Sequence, residues 1–293
     1  MQAFILSAGK GTRLLPYTKI LPKPLFPILG KPIIEIILDQ LKKLGITSIG
    51  INVFHLKEKL LNFLKSYQNK NPQLEIQIFE EQELLGTGGA ILNAKNFFKE
   101  RTLIINSDIL TNFDFKKLYF FSTYLSSPVI MVLYKGEKNN VCVDFDSNII
   151  LSFRKYKKNL FTFAGIQIID PYIIKYFPFK KDFIEIYQEL IKRKFNISAY
   201  IENNSYFKDI GTIKNYLKAH EDILINKIKI PEVPFYSNSL VIKSKNIDKN
   251  VVLKDWVYIE EDTIIENNTQ LSRVISWKGA YIKSGIYENK ILI

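Results

Sequence analysis

An apolar residue recurs at every sixth position near the end of the chain, and few folds can use such a period. The repeat runs through Val241, Ile247, Leu253, Ile259, Ile265 and Leu271. Neither an α-helix, whose period is 3.6 residues, nor an ordinary β-hairpin, whose strands have a period of two, has a period of six. A left-handed parallel β-helix does, because each triangular coil has three six-residue sides. The repeat therefore predicts about three coils of such a β-helix within residues 228–293.

The chain before this repeat alternates short apolar runs with helical patterns. Strands are predicted at Ala3–Ser7, Ser48–Val53, Leu74–Phe79, Thr102–Ile105, Val129–Tyr134, Val141–Phe145, Ile149–Phe153 and Phe163–Ile169. Helices are predicted at Pro32–Leu44, Leu56–Ser66, Ala90–Phe98, Asp182–Lys194 and Ile213–Leu224. The alternation favours a Rossmann-like α/β fold, with a mainly parallel sheet and helices on both faces.

A linker between these two parts is predicted within Lys227–Asn238. This stretch contains Pro231 and Pro234, which interrupt helices and strands. We therefore expect a first domain at residues 1–227 and a second, smaller domain at residues 228–293.

The composition excludes several classes of protein. Of the 293 residues, 47% are hydrophobic and 13% are aromatic, which is too many for a disordered chain. Cys142 is the only cysteine, so a disulfide scaffold is excluded. No apolar run approaches the roughly 20 residues that span a bilayer, and the first residues lack the features of a signal peptide. We therefore expect a cytoplasmic protein without a membrane partner.

The formal net charge of +12 raises the question of nucleic-acid binding. The basic residues are scattered along the chain, mostly at predicted helix ends and loops, rather than gathered in one segment. We therefore expect no nucleic-acid partner, although the positive charge would favour the approach of a polyphosphate.

A glycine-rich turn follows the first predicted strand, with the sequence Ser7-Ala8-Gly9-Lys10-Gly11-Thr12-Arg13. Such a turn exposes backbone N–H groups at the carboxyl edge of a sheet, where α/β proteins bind phosphates. Leu14 occupies the position of the third glycine of a dinucleotide fingerprint, and the Gly-Lys-Ser/Thr of a Walker loop is absent. The turn matches neither common phosphate loop, and a simple tight turn remains an alternative.

Lys23 stands between two prolines in Leu21-Pro22-Lys23-Pro24-Leu25. The prolines restrict the backbone on both sides, so the lysine is held as a point charge suited to a phosphate. The alternative is a rigid surface loop with an incidental lysine.

Together these motifs resemble the signature of the sugar-1-phosphate nucleotidylyltransferases. That signature, Gly-x-Gly-Thr-Arg-Leu-x-Pro-x-Thr followed by Pro-Lys-Pro-Leu, is met here at Gly9–Thr18 and Pro22–Leu25. Three later segments agree in order. Leu84–Ala90 resembles the loop over the nucleotide base, Asn106-Ser107-Asp108 the first metal site, and Asp209–Thr212 the segment of the second metal aspartate.

The resemblance implies transfer of a nucleoside monophosphate from a nucleoside triphosphate (NTP) to a sugar 1-phosphate, with release of pyrophosphate. It implies Arg13, Lys23 and Asp108 as catalytic residues, and Asp108 and Asp209 as ligands of a Mg²⁺ cofactor. Nucleotide binding is expected at Ala8, Gly9, Lys10, Gly11, Thr12, Arg13, Gly86, Thr87 and Gly88. Sugar-phosphate binding is expected at Lys23, Lys155 and Gly165.

Some residues have a second interpretation. Asp108 and Asp209 precede predicted helices at Phe115 and Ile213, so either could be only a helix cap. Glu80, Glu81 and Glu83 either contact the base or ribose or form a solvated acidic loop. The segment Arg154-Lys155-Tyr156 replaces the family's Glu-Lys-Pro, so a sugar-hydroxyl contact from the glutamate is lost.

The substrate stays open at this point. Gly88-Gly89 most resembles guanylyltransferases that act on mannose 1-phosphate or heptose 1-phosphate. The alternatives are a uridylyltransferase acting on N-acetylmuramate or hexosamine 1-phosphates, and a non-catalytic regulatory subunit that binds nucleotide sugars. An incomplete solenoid exposes its open end, so we expect a homo-oligomer, a dimer or larger, formed through the C-terminal repeat.

Overall fold

The computed structural model describes residues 1–136, 139–153, 160–178 and 182–293. Six α-helices lie within these ranges: α1 (Ile33–Lys43), α2 (Lys57–Lys70), α3 (Gly86–Asn93), α4 (Phe115–Thr123), α5 (Phe183–Lys192) and α6 (Ile213–Leu224). The strands of the same ranges are β1 (Gln2–Leu6), β2 (Pro27–Ile28), β3 (Lys31–Pro32), β4 (Ser48–Val53), β5 (Glu75–Glu80), β6 (Thr102–Asn106), β7 (Ile109–Thr111), β8 (Val129–Tyr134), β9 (Val141–Asp144), β10 (Ile149–Ser152), β11 (Leu160–Ile169), β12 (Ile197–Ile201), β13 (Phe207–Asp209), β14 (Leu240–Ile242), β15 (Asn246–Ile247), β16 (Val252–Ile259), β17 (Ile264–Ile265), β18 (Thr269–Ser276), β19 (Tyr281–Ile282) and β20 (Gly285–Leu292).

The chain forms two compact units, each assembled from separate segments. The first unit comprises Met1–Lys10, Ile37–Ile109 and Phe113–Ser205. The second comprises Gly11–Ile36, Leu110–Asn112 and Tyr206–Ile293. The segment Gly11–Ile36, which carries Arg13 and Lys23, therefore belongs to the same unit as the C-terminal residues.

The first unit is built on one mixed sheet with the strand order β5-β4-β1-β6-β11-β8-β12-β10-β9. The strands β5, β4, β1 and β6 are parallel, whereas β11 is antiparallel to both β6 and β8. The sheet is thus more mixed than the strand–helix alternation predicts. The short link from Asp144 to Ile149 explains part of this, because a parallel connection needs a crossover of about a dozen residues.

The core of the first unit forms around β1, the strand that leads into the glycine-rich turn. Ala3, Phe4 and Ile5 are fully buried, which explains the unbroken apolar run that begins the chain. The ring of Phe4 packs against Phe97 and Phe98, at centroid distances of 5.9 and 5.3 Å. Burial of a side chain as large as that of Phe4 or Ile5 contributes about 1.5–3 kcal/mol, so the strand that ends at the turn is firmly held.

The C-terminal part of the second unit consists of parallel strands. β14, β16, β18 and β20 form one sheet, and β15, β17 and β19 form another. Leu240 pairs with Val257, and Val257 pairs in turn with Val274, so one circuit of the chain takes about 17 residues. Three residues of the predicted six-residue repeat, Ile259, Ile265 and Leu271, lie in the apolar core of this region.

The described residues contain no helix with the length and apolar character that a membrane span requires.

Candidate active site

In the first unit, the glycine-rich turn and the Asn106–Asp108 turn begin at the same edge of the sheet. Leu6, the last residue of β1, pairs in parallel register with Asn52 and with Asn106. The Ser107 backbone N–H donates to the Leu6 carbonyl at 3.0 Å, so the two turns are joined directly. The predicted site residues Ala8, Gly9 and Lys10 follow the end of β1, and Asp108 follows the end of β6. All four therefore lie at the same edge of the sheet. Ligands of α/β sheets bind at this edge, beyond the carboxyl ends of the strands.

A buried hydrogen-bond network connects this edge to the start of α3. The Ser7 N–H donates to Asn52 Oδ1 at 2.7 Å, and Asn52 Nδ2 donates to Glu81 Oε1 at 2.7 Å. The other carboxylate oxygen of Glu81 accepts from the Leu85 N–H at 3.1 Å. Glu81 is only 5% exposed, so this carboxylate is a structural link between the residues that precede Ala8 and Gly86.

The three acidic residues near the base loop thus have different roles. Glu80 pairs with Lys57 at 2.7 Å on the surface, and Glu83 is exposed. Glu81 alone of the three is buried and bound on both oxygens. The sequence offered no means of distinguishing it, because the three side chains are alike and adjacent.

We expect Glu81→Gln to destabilise the protein by about 2 kcal/mol and to raise the KM for nucleotide. The amide has one acceptor oxygen, so its NH₂ group must face either Asn52 Nδ2 or the Leu85 N–H, which are both donors. Urea unfolding and steady-state kinetics measure the two effects. Glu80→Gln, at an exposed salt bridge, is the matched control and should change stability by less than about 1 kcal/mol. Equal stabilities for the two variants would contradict the assigned role.

The predicted base loop forms the first turn of α3. The helix begins at Gly86, whose φ of 74° favours glycine, and not at Ala90 as predicted. The N–H groups of a first turn have no partner within their helix, which makes Gly86, Thr87 and Gly88 potential donors to a ligand. The Thr87 hydroxyl accepts from the Phe183 N–H at 3.0 Å, so the start of α3 is fixed to the start of α5.

In the second unit, three predicted site residues come together around Gly211. Arg13 Nη2 lies 3.8 Å from Asp209 Oδ2, and Lys23 Nζ lies 3.9 Å from Asp209 Oδ1. The Arg13 side chain is 58% exposed, whereas that of Lys23 is 11% exposed. The Gly211 N–H donates to Asp209 Oδ1 at 2.6 Å. Two cations and a carboxylate therefore converge on one glycine, an arrangement suited to a phosphate bound together with a cation.

The backbone that carries Arg13 and Lys23 is folded into short turns. Gly11 has a φ of 63°, and a Cβ there would lie 2.7 Å from Thr18 Cγ2, so glycine is required. The Leu14 N–H donates to the Gly11 carbonyl at 2.9 Å. Lys23–Leu25 forms a 3₁₀ turn with Lys23 as its first residue. The stiff presentation of Lys23 predicted from its flanking prolines agrees with this turn.

The helix-cap interpretations of the two aspartates are wrong. The cap of α4 is Asp114, which accepts from the Lys116 N–H. The cap of α6 is Thr212, which accepts from the Asn215 N–H at 3.2 Å. Asp108 and Asp209 are therefore not needed for these caps.

Gly165 lies beside the turn that carries Asp108. Its φ is 76°, and a Cβ there would lie 2.8 Å from Ile109 Cγ1 and 3.0 Å from Asn106 Nδ2. The glycine thus lets β11 approach this turn closely, while its predicted contact with a sugar stays a prediction. Lys155, the other predicted sugar-phosphate residue, falls outside the described residues.

In the second unit, the carboxylate of Asp209 fits a hard divalent cation. The described residues hold no group of three or more histidine, cysteine, aspartate or glutamate side chains that could bind a metal. Mg²⁺ does not need one, because it is commonly held by one or two carboxylates together with substrate phosphates and water. Asp209 Oδ2 lies 3.8 Å from Arg13 Nη2, too far for a hydrogen bond, and therefore keeps lone pairs for such an ion.

A cavity of about 280 Å³ also lies within the second unit. It is lined by residues of the β2–β3 hairpin, of α6 and of the C-terminal strands. Lys243 on its wall donates to Glu260 at 2.9 Å, and Lys278 pairs with Glu261 at 3.3 Å. None of the predicted site residues that the structure describes lines this cavity, so it is not the candidate active site.

The first unit has an α/β fold with a glycine-rich turn at the carboxyl edge of its parallel strands. Residues 2–145 match the family model described as nucleotidyl transferase. The D-glycero-alpha-D-manno-heptose 1-phosphate guanylyltransferase of Campylobacter jejuni is 32% identical over 220 residues, which cover 74% of this chain and 97% of that protein. The chain belongs to the sugar-1-phosphate nucleotidylyltransferase family.

Two further proteins extend the comparison. The bifunctional protein GlmU of Methanocaldococcus jannaschii is 32% identical over 275 residues, or 90% of this chain. The match covers 61% of GlmU, so this chain spans about three fifths of the length of that relative. The crystal structure of HddC from Yersinia pseudotuberculosis superimposes with a TM-score of 0.60 at 26% identity, covering 75% of this chain and 98% of HddC.

Proposed function

We propose that this protein transfers a nucleoside monophosphate from an NTP to a sugar 1-phosphate and releases pyrophosphate. The single observation that carries this proposal is the convergence of Arg13, Lys23 and Asp209 around Gly211. Our first candidate for the substrates is GTP with mannose 1-phosphate or heptose 1-phosphate. The match to this chain covers 97% of the Campylobacter jejuni guanylyltransferase, which supports this choice.

The reaction is an in-line displacement at the α-phosphorus. An oxygen of the sugar 1-phosphate forms the new P–O bond, the bond to the β-phosphate breaks, and pyrophosphate leaves with the electron pair. The nucleophile is already an anion, so no general base is required. The protein's task is to bring two polyanions together and to stabilise the charge that develops on the leaving group.

The predicted residues divide this task by their chemistry. The backbone N–H groups of Gly9–Thr12 would hold the β- and γ-phosphates, as such turns hold anions. Arg13 would bind the leaving pyrophosphate through its planar fork, and Lys23 would lie between the α-phosphate and the acceptor phosphate. Gly86–Gly88 would contact the nucleotide with the first-turn amides of α3.

Nucleotidyltransferases of this family generally use a divalent metal such as Mg²⁺. Asp108 and Asp209 would hold it, because both supply the carboxylate oxygens that this ion prefers. When bound, the ion would neutralise phosphate charge and polarise the phosphoryl group.

The test is a panel of pyrophosphate-release assays with Mg²⁺. GTP, UTP, dTTP, CTP and ATP would each be combined with mannose, glucose, N-acetylglucosamine, heptose and N-acetylmuramate 1-phosphates. We expect release with one pair, and a loss of at least about 100-fold in Asp108→Ala. Release with UTP and a hexosamine or N-acetylmuramate phosphate would select the uridylyl alternative. Nucleotide-sugar binding by folded protein without turnover would select a regulatory subunit and overturn the proposed reaction.

We also propose that residues 228–293 form a left-handed parallel β-helix of hexapeptide repeats beside a catalytic domain at residues 1–227. Circuits of about 17 residues, close to three six-residue sides, support this. The strand β20 lies at the edge of its sheet, and a homo-oligomer formed through this edge would cover it. Sedimentation of the full chain measures the oligomeric state.

A further inference from the structure

A tryptophan from the C-terminal part of the chain packs against the segment that carries Arg13 and Lys23. Trp277 lies between β18 and β19 and is 8% exposed. Its indole meets the ring of Phe26 edge-on, with centroids 5.0 Å apart, and meets Tyr17 at 5.8 Å. Tyr17 lies between Arg13 and Lys23 in the sequence, and Phe26 follows Lys23 within the same short segment.

Hydrogen bonds strengthen the same contact. Trp277 Nε1 donates to the Tyr216 hydroxyl at 3.1 Å, and this hydroxyl donates to the Pro27 carbonyl at 2.5 Å. Burial raises the pKa of Tyr216, so its hydroxyl stays protonated and keeps donating. The Tyr17 hydroxyl donates to the Ile291 carbonyl at 3.1 Å.

The β2–β3 hairpin that follows Phe26 is held by the same region. A Cβ on Gly30 would clash with Glu260 Oε2 and would lie 2.8 Å from the Tyr258 hydroxyl, so the hairpin touches β16 and the residue after it. Tyr258 donates to Glu260 at 2.6 Å, and Lys243 donates to it at 2.9 Å. Burial alone would raise the pKa of Glu260, but these bonds hold it below its usual value, so the carboxylate stays charged and this surface stays ordered.

We propose that Trp277 is a positioning residue for nucleotidyl transfer. It holds Tyr17 and Phe26, and through them the short backbone turns on which Arg13 and Lys23 stand. The C-terminal region is therefore part of the phosphate-binding machinery rather than a separate appendage. The inference rests on the proposed function, because it concerns the same cations.

The chain supplies a matched control. It contains two tryptophans, and the other, Trp256, is also buried in the C-terminal region, at 4% exposure on β16. The indole nitrogen of Trp256 has no hydrogen-bond partner among the described residues. Substitution of Trp256 therefore removes a buried indole of the same region without removing the hydrogen bond to Tyr216.

The first experiment separates positioning from stability by kinetics on the full chain. We expect Trp277→Leu to lower kcat at least tenfold while the KM for nucleotide changes less than threefold, because the cations act on charge that develops during transfer. Trp277→Phe keeps an aromatic ring and should recover most of kcat. Trp256→Leu should lower the melting temperature and keep kcat within twofold. Equal kcat values for Trp277→Leu and Trp256→Leu would overturn the proposal.

The second experiment uses fluorescence and needs no turnover. In Trp256→Phe, Trp277 is the only indole, and we expect its emission to change when an NTP binds. In Trp277→Phe, the remaining indole should not respond. A bound NTP, measured by calorimetry, that leaves the Trp277 emission unchanged would overturn the proposal. Absence of pyrophosphate release from the wild-type protein with an intact Trp277 response would instead refute the proposed reaction.

Discussion

Gly211→Ala is expected to lower kcat/KM by about 100-fold while leaving the fold almost unchanged. A Cβ at this position would lie 2.6 Å from Asp209 Oδ1, 2.7 Å from Arg13 Nη2 and 2.7 Å from Lys23 Nζ. Contacts this short do not persist, so all three charged groups must move. Displacements of this size at groups that orient phosphates cost orders of magnitude in rate.

The effect on stability should be small, for a separate reason. A methyl group at this position would meet only the terminal atoms of the Asp209, Arg13 and Lys23 side chains. The Arg13 side chain is also 58% exposed. These ends can shift without moving backbone. Gly211 also lies outside the positive-φ region, so alanine fits its backbone. We expect the free energy of unfolding to change by less than about 1 kcal/mol.

Gly45→Ala is the control, for which we expect the opposite result: lower stability with unchanged activity. Gly45 has a φ of 86° and nothing within 4 Å of its would-be Cβ, so alanine there is strained but touches nothing. It should lose about 1 kcal/mol of stability and keep its activity. Kinetics and urea unfolding of both variants check the contrast. A Gly211→Ala protein with wild-type kcat/KM would show that the geometry of this cluster does not govern the reaction.

Much of the fold follows from local patterns in the sequence. Ser48–Val53, Val129–Tyr134 and Ile213–Leu224 have the predicted bounds. Strong periodicity or unbroken apolar runs explain these successes. The strand β12 was not predicted, and α4 was expected only as a helix beginning at Phe115, without a predicted end. β12 is short, and α4 is rich in aromatic residues, which have weaker helix propensity.

Which chain segments form each of the two units could not be predicted, because the division depends on contacts between residues distant in the sequence. The Tyr17 hydroxyl and the Ile291 carbonyl are separated by 274 positions, and no motif links them. Arg13 and Asp209 were expected from the family resemblance and Lys23 also from its flanking prolines, and the structure brings these three together. The sequence did not reveal the role of Gly211, because closeness to three charged groups is a property of the folded chain.

The protein is expected to lose about 3 kcal/mol of stability as the pH falls from about 6.5 to about 4, through one histidine. His220 on α6 is 1% exposed. Burial lowers its pKa from 6.5 to about 4, although the Tyr216 and Pro27 carbonyls, which would accept from a protonated ring, oppose the shift. The Leu29 N–H donates to Nε2 at 3.3 Å, so Nδ1 carries the proton that the Tyr216 carbonyl accepts at 2.8 Å. The neutral ring thereby anchors the turn of the β2–β3 hairpin.

The direction of this pH dependence follows from whether the folded or the unfolded chain binds the proton. Above pH 6.5 the imidazole is neutral in both the folded and the unfolded chain, so it contributes no pH dependence. Between pH 6.5 and pH 4 the unfolded chain takes up a proton that the folded chain refuses, so unfolding becomes more favourable as the pH falls. Below pH 4 both states are protonated and the penalty stays constant. Each unit of the shift corresponds to about 1.4 kcal/mol.

His220→Gln isolates this contribution, because glutamine stays neutral throughout the range. The wild-type protein and this variant should differ in the pH dependence of unfolding by about 3 kcal/mol between pH 7.5 and pH 4, since carboxylates titrate alike in both. His55→Gln, the same substitution at the only other histidine, is measured alongside as the control. Urea unfolding at half-unit pH steps measures the three curves. If His220→Gln and wild type run parallel over this range, His220 is not the buried neutral anchor of the hairpin.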